Sequence, residues 1–314
     1  MQLFRDLDQL PSQYRGGALT IGNFDGVHLG HARIVAQLCA RAKQINGHAV
    51  VFTFDPHPVR LLRPDQAPPP LTWTRRKVEL LGKLGVDAVV AYPTDQALLN
   101  LGPHEFFQKI VVNQIRAQAM IEGPNFFFGK NRAGDPTLLA QLCADSNISL
   151  DIVEPYRLPE ETEFVSSSRI RKLIAAGDVG TARTMLTEPY RLRGMVTHGA
   201  GRGADIGFPT ANLEAIDTML PGIGVYAGIA LRDGQPHAAA INIGPNPTFD
   251  EHRLKIEAHL IDYRDTLYGE PLELLFLERL REVQPFKEVS ELVAQLNRDI
   301  ESTKQIVDQF QTKP

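Results

Sequence analysis

A change of hydrophobic rhythm near Leu186 constrains this chain more than any other feature. Before it, strand-like and helical runs alternate. GGALTIG, GHAVVFTF, VDAVVAY, AQAMIEG and SLDIVEP read as strands, and HARIVAQLCARAKQ, RRKVELLGKLG, GPHEFFQKIVVNQI, PTLLAQLCADSN and SSSRIRKLIAAGD as helices. GHAVVFTF is almost unbroken in its apolar character, as a strand covered on both faces must be. Strand and helix repeated in this way predict an α/β fold with an N-terminal doubly wound parallel sheet. After Leu186 the helical period disappears. YRLRGMVTHG, GVYAGIALRDG, HAAAINIG, RLKIEAHLIDY and PLELLFLERL read as strands between Gly, Pro and Asp turns, and only VSELVAQLNRDIESTKQIVDQF is helical again. That half predicts a small antiparallel β-barrel with a packed C-terminal helix. The 314 residues suit about two domains. The expected division is 1–186 and 187–314, with the joint near MLTEPY.

Charge narrows the partners. With 33 basic and 37 acidic residues the net charge is −4, where a nucleic-acid binder is usually more basic, so no nucleic-acid partner is expected. No apolar run approaches a membrane span, and MQLFRDLDQLP has neither a basic n-region nor an apolar h-region. Cys39 and Cys143 lie far apart in apolar helical patterns, so both are expected as buried thiols. The expectation is a soluble, reduced, cytoplasmic protein. Its oligomeric state is not legible.

Chemistry concentrates at two places in the first half. GNFDGVHLGH joins the first strand to a helix, at the carboxyl end of the sheet where ligands of such folds bind. The helix start offers unpaired N–H groups and a positive dipole end. Glycines there permit a tight turn and a close backbone approach. His28 and His31, three apart, can face one way and donate to phosphate oxygens. Two other readings stand beside this one: ordinary capping or core histidines, and a metal site of His28, His31 and Asp25. VSSSRIRKL is the second place, with serine hydroxyls and arginine forks leading a helix; it reads as an N-cap or as a phosphate grip. RPDQAPPPL is either a stiff surface connection or a flap over a ligand.

The second half carries a different set. GFPTANL follows the glycine-rich HGAGRGADIG. Alone it is a turn; if extended, Thr210 and Asn212 point the same way and offer the hard oxygens that magnesium prefers. In LKIEAHLIDY, Glu257 lies on the face opposite Ile256, Ala258 and Leu260. It is either a solvated glutamate or a general base.

Taken together, GNFDGVHLGH, FTFDPHP, FFFGKNRAGD and VSSSRIR, in that order, resemble the HxGH nucleotidyltransferase superfamily. HGAGRGADIGFPTANL, PGIGVYAG, NIGPNPTF, IEAHLIDY and LYGEPLEL look like a riboflavin kinase domain. From roughly residue 15 to 305 the chain resembles the bacterial bifunctional riboflavin kinase/FAD synthetases. That resemblance implies ATP, riboflavin and FMN as small-molecule partners, FMN and FAD as products, and magnesium carried with ATP. It implies that His28, His31 and Arg171 serve adenylyl transfer, and that Gly22, Asn23, Phe24, Asp25, Gly30, Ser167, Ser168 and Arg169 hold ATP. It assigns Asn125, Asp55 and Pro56 to the flavin. In the second domain it implies that Gly199, Arg202 and Gly207 wrap phosphates, Thr210 and Asn212 hold magnesium-ATP, and Glu257 activates the ribityl hydroxyl. The rivals are a single-activity nucleotidyltransferase with a silent barrel, and a non-catalytic flavin- or nucleotide-binding regulator. Both predict eroded motifs, and the motifs are intact.

Overall fold

Successive residues along each central strand enter opposite layers, and that period of two builds the first sheet. The computed structural model describes residues 1–199, 202–246 and 251–312. It packs as two units, Met1–Pro68 with Trp73–Ser166, and Pro69–Thr72 with Ser167–Pro314. The first unit runs β1 (Gln2–Phe4), β2 (Ala18–Ile21), α1 (Leu29–Gln44), β3 (Ala49–Asp55), α2 (Pro58–Leu62), α3 (Thr74–Lys83), β4 (Ala88–Pro93), α4 (Gln96–Asn100), α5 (Pro103–Phe106), β5 (Ala119–Glu122), α6 (Pro136–Asp145) and β6 (Ser149–Ile152). Helix α5 continues as a π-wound stretch, Phe107–Ile115. Leu19, Val50, Phe52, Val90 and Met120 share one core with Phe107, Ile110, Val111 and Leu139. Ala18, Ala49, Val51, Val89, Ala119 and Ile121 share the other with Val35, Leu38, Val78 and Leu81 of α1 and α3. Val35, Leu38 and Ala42 form the one buried stripe of α1, at helical spacing.

The sheet order is β1-β4-β3-β2-β5-β6, with every pairing parallel. The doubly wound expectation is met, with one strand added. β1 has three residues and pairs with β4; it is too short to show a period in sequence. The order in which strands are added reverses between β2 and β5, which makes their carboxyl ends the ligand crevice of such a sheet. These two strands pair only at Ala18 with Ala119 and Leu19 with Met120. Beyond that point the Ile21 N–H donates instead to Glu122 Oε1, at 2.8 Å. Glu122 is buried, and burial pushes its carboxyl well above the ordinary glutamate range, with the Ile21 bond opposing.

The second unit runs α7 (Ser167–Ala176), α8 (Val179–Met185), β7 (Arg191–Thr197), α9 (Arg202–Asp205), β8 (Ala211–Glu214), β9 (Gly224–Arg232), β10 (Gln235–Asn246), β11 (Glu251–Leu260), β12 (Pro271–Arg281) and α10 (Val289–Thr312). The strands close a barrel in the order β10-β11-β8-β7-β12-β9, as expected of this half. Ala211, Leu213, Ala239, Ile241, Ile243, Ile256, Ala258 and Leu260 are buried, while Asn212, Asn242 and Glu257 between them are only half-buried. Val307 of α10 covers Ile229, Leu275 and Leu277.

Helix α8 packs on β12 and buries Val179, Ala182 and Met185. The turn before it needs Gly177, at φ +80°, because a Cβ there would lie 2.7 Å from the Tyr226 hydroxyl. A fragment starting at Thr187 lacks both helices. At about 1.5–3 kcal/mol for each fully buried Val or Met side chain, it is expected to unfold at distinctly lower urea than one starting at Ser166. Equal midpoints would show that α7 and α8 add nothing to the barrel.

Candidate active sites

Strain marks the loop that carries the two histidines. Phe24 has φ 47° and Val27 φ 41°, a left-handed conformation that a β-branched residue adopts only under constraint. Such strain costs about 1–3 kcal/mol per residue and gathers at ligand clamps. Gly26, at φ +84°, takes the same region without penalty. A Cβ on Gly22 would press on the Phe24 ring at 3.1 Å, and one on Gly30 on the His28 ring at 3.1 Å. Both glycines are therefore small because aromatic rings lie over them.

His28 caps α1, and the two histidines cap each other. His31 N–H donates to His28 Nδ1 and His28 N–H to His31 Nδ1, each at 3.3 Å. Their rings stack at 3.6 Å and 15°. The capping reading and the phosphate reading are thus compatible. With both Nδ1 atoms accepting, a neutral ring carries its proton on Nε2 and presents a donor. Burial pushes His28 down to about 4, with the Asp25 charge opposing. His31 is driven well below the usual histidine range by burial, then by His28 and Lys77. The lowered pKa values favour neutral rings, each presenting an Nε2–H donor. Asp25 is buried beside them, and Asn23 Oδ1 is buried with no hydrogen-bond partner among the described residues. No group of three or more His, Cys, Asp or Glu side chains among the described residues is arranged to hold a metal ion.

The remaining first-unit candidates are placed as follows. Asp55 ends β3 and accepts from Arg5 Nη1 at 3.0 Å and Thr74 Oγ1 at 2.9 Å; the Asp55–Pro56 bond is cis. Asn125 sits in an exposed turn before Phe126 and Phe128, whose rings stack at 5.4 Å. Ser167, Ser168, Arg169 and Arg171 open α7 of the second unit. There Arg171 Nε donates to Pro69 O at 3.0 Å, in the proline-rich stretch. Cys143 is buried as expected; Cys39 is only partly so, and burial raises both thiols.

On the barrel, PTAN is not a turn throughout. Asn212 lies in β8, and register aligns it with Glu257 of β11. Thr197 of β7 faces Asn212 on one side, and Asn242 of β10 faces Glu257 on the other. Directly paired residues stand about 4.5–5.5 Å apart at Cβ, so these four form one polar row outside the apolar core. A Cβ on Gly199 would lie 2.2 Å from Asn212 Nδ2, so the amide lies over that glycine. Phe208 N–H donates to Gly203 O at 2.7 Å, and His259 Nδ1 bonds Pro209 O at 2.7 Å, which fixes the segment before Thr210. Gly207 has φ +91° and open space around it. The side chain of Arg202, and Ala200 and Gly201 of the glycine stretch, lie outside the described residues. Asn242 and Thr197 went unread in sequence. Asn242 alternates with Ile241 and Ile243, a signal that marks its face but not its neighbours.

Residues 10–169 match the FAD synthetase family model, and residues 186–307 match the riboflavin kinase model. A bifunctional riboflavin kinase/FMN adenylyltransferase of Pseudomonas fluorescens is 34% identical over 301 residues, 96% of each chain. One of Escherichia coli K12 is 35% identical over 303 residues, 95% of this chain and 96% of that one. A crystal structure described as a macrolide-efflux protein from Streptococcus pneumoniae matches with a TM-score of 0.85 at 28% identity, over 96% of this chain and 98% of that one. Among the described residues no helix is long and apolar enough to cross a membrane. Two family models in the expected order, and relatives matched along nearly their whole length, place this chain in the bifunctional riboflavin kinase/FMN adenylyltransferase family.

Proposed function

We propose that this chain phosphorylates riboflavin with ATP to give FMN, then adenylylates FMN with a second ATP to give FAD and pyrophosphate, in the cytoplasm where ATP is supplied. The observation that carries the reading is the pair of intact constellations, one per unit: reciprocal capping of His28 and His31 in the first, and the Asn212–Glu257 register in the second. Domain 1–186 is assigned to adenylyl transfer and 187–314 to the kinase.

In adenylyl transfer a phosphate oxygen of FMN attacks the α-phosphorus of ATP, and the bond to pyrophosphate breaks. Charge grows on the leaving group, so the protein must position and stabilise rather than supply a nucleophile. The Nε2–H donors of His28 and His31 meet phosphate oxygens. Ser167, Ser168, Arg169 and Arg171 add hydroxyls and forked cations. Gly22, Phe24, Asp25 and Gly30 shape the loop. Asn23 Oδ1, a buried acceptor, calls for a donor such as a nucleoside hydroxyl or amine. Asp55, Pro56 and Asn125 serve the flavin.

In the kinase step Glu257 takes the proton of the terminal ribityl hydroxyl, whose oxygen attacks the γ-phosphorus as ADP leaves. Gly199, Gly207 and Arg202 wrap the phosphates. The oxygens of Thr210 and Asn212 are of the hard type magnesium requires, and these two residues would hold it with ATP. Its contribution when bound is to neutralise phosphate charge.

Incubation with riboflavin, ATP and magnesium, with the flavins separated over time, is expected to show FMN rising first and FAD following. FAD formed only from added FMN would mean one activity and a silent barrel. Binding without any conversion would make the chain a regulator.

A further inference from the structure

We propose that Lys77 is a positioning residue of the adenylyl-transfer site, a buried ammonium that braces the histidine loop through Thr53 and gives the site a fixed positive charge. The inference rests on the assignment of that reaction to the first unit.

Lys77 lies in α3, outside every motif. It sits on the face that also buries Val78, Leu80 and Leu81, and is itself only 8% exposed. A lysine on the core face breaks the helix's pattern, and lysine is almost never buried without partners. Its partners lead to the site. Nζ donates to Thr53 Oγ1 at 3.4 Å, and Thr53 Oγ1 donates to Asn23 O at 3.2 Å, in the strained loop. Burial pulls the pKa of Lys77 below the usual lysine range, and the charges of Asp25 in that loop and Asp55 at the end of β3 oppose this and favour the ammonium. One cation thus ties α3, the end of β3 and the β2–α1 loop together. Its charge also reaches His31 and helps keep that ring neutral. Among the described residues, His28 from its own loop and Lys77 from α3 bear on His31, Asp25 bears on His28, and Asp25 and Asp55 bear on Lys77.

The consequence is electrostatic. Neutral imidazoles donate hydrogen bonds but bring no charge to a polyphosphate. A fixed cation in a dry setting acts more strongly than one in water, and needs no reorganisation as charge develops. Protonating either Nδ1 would break the reciprocal caps, so His28 and His31 set the acid limb of the reaction.

The test uses the full chain with added FMN, reading kcat/KM for ATP in FAD formation across pH, with riboflavin phosphorylation in the same preparation as the folding control. Lys77→Met keeps the stem and removes the charge. It is expected to lower kcat/KM by about 10²-fold, the scale of one lost preorganised contact. It should also move the acid limb upward by roughly one pH unit, because His31 loses a repelling neighbour. Lys77→Arg keeps the charge and should return the limb to its original place. An unchanged rate and limb in Lys77→Met, or an equally displaced limb in Lys77→Arg, would overturn the proposal. If Lys77→Met does not fold, Lys77→Arg decides by its limb alone. Failure of the unaltered chain to make FAD would instead remove the reaction assignment beneath it.

Discussion

His28→Ala is expected to abolish FAD formation from FMN while riboflavin is still converted to FMN. The substitution removes two things at once. One is the Nε2–H donor toward ATP, worth about 10²–10³ in rate if it acts on developing charge. The other is the acceptor for His31 N–H at 3.3 Å, a helix cap whose loss costs about 1 kcal/mol. His31 also loses its stacking partner, so its own donor drifts from position. The cap alone does not unfold a domain with two full cores. Separate assays of FMN and FAD formation, with thermal unfolding as a control, check this. Equal loss of both activities at unchanged stability would mean that the reactions share a site.

The second large effect is on the barrel. Glu257→Ala should slow FMN formation by roughly 10²–10⁴, the range of general-base catalysis, and leave adenylylation of added FMN intact. Glu257 is half-buried on the outer strand face, away from the apolar set of β11. Its removal opens no core cavity, so stability should shift by no more than about 0.5 kcal/mol. Steady-state rates for riboflavin with saturating ATP, set beside a urea midpoint, separate catalysis from folding. An unchanged rate would remove Glu257 from proton transfer.

Much of the fold was written in periodicities. The alternation of Ala18 with Leu19, and of Ala49 and Val51 with Val50 and Phe52, serves two cores, and a strand apolar on both faces shows in sequence. The elements that escaped were short or atypical. β1 has three residues, and α8 is a single short helix just before the expected joint. PTAN looked like a turn because proline opens it; its strand character comes from pairing with β7 and β11. Cys39 shares a helical pattern with Leu38, but its side of α1 is only partly covered.

The site divides in the same way. Neighbours along the chain suffice to show the residue types at the strand-to-helix junction, the hydroxyls and arginines that open α7, and the placement of Glu257 on the polar side of its strand. The folded chain alone shows that the two histidines accept from each other's backbone, that Glu122 stands in for a missing ladder partner of Ile21, that Asn242 and Thr197 extend the Asn212–Glu257 row, and that Lys77 is linked through Thr53 to the histidine loop. The reason is physical. Charge state, strain and register depend on what is excluded from water and which strands lie side by side, and residues tens of positions apart acquire those relations only when the chain closes on itself.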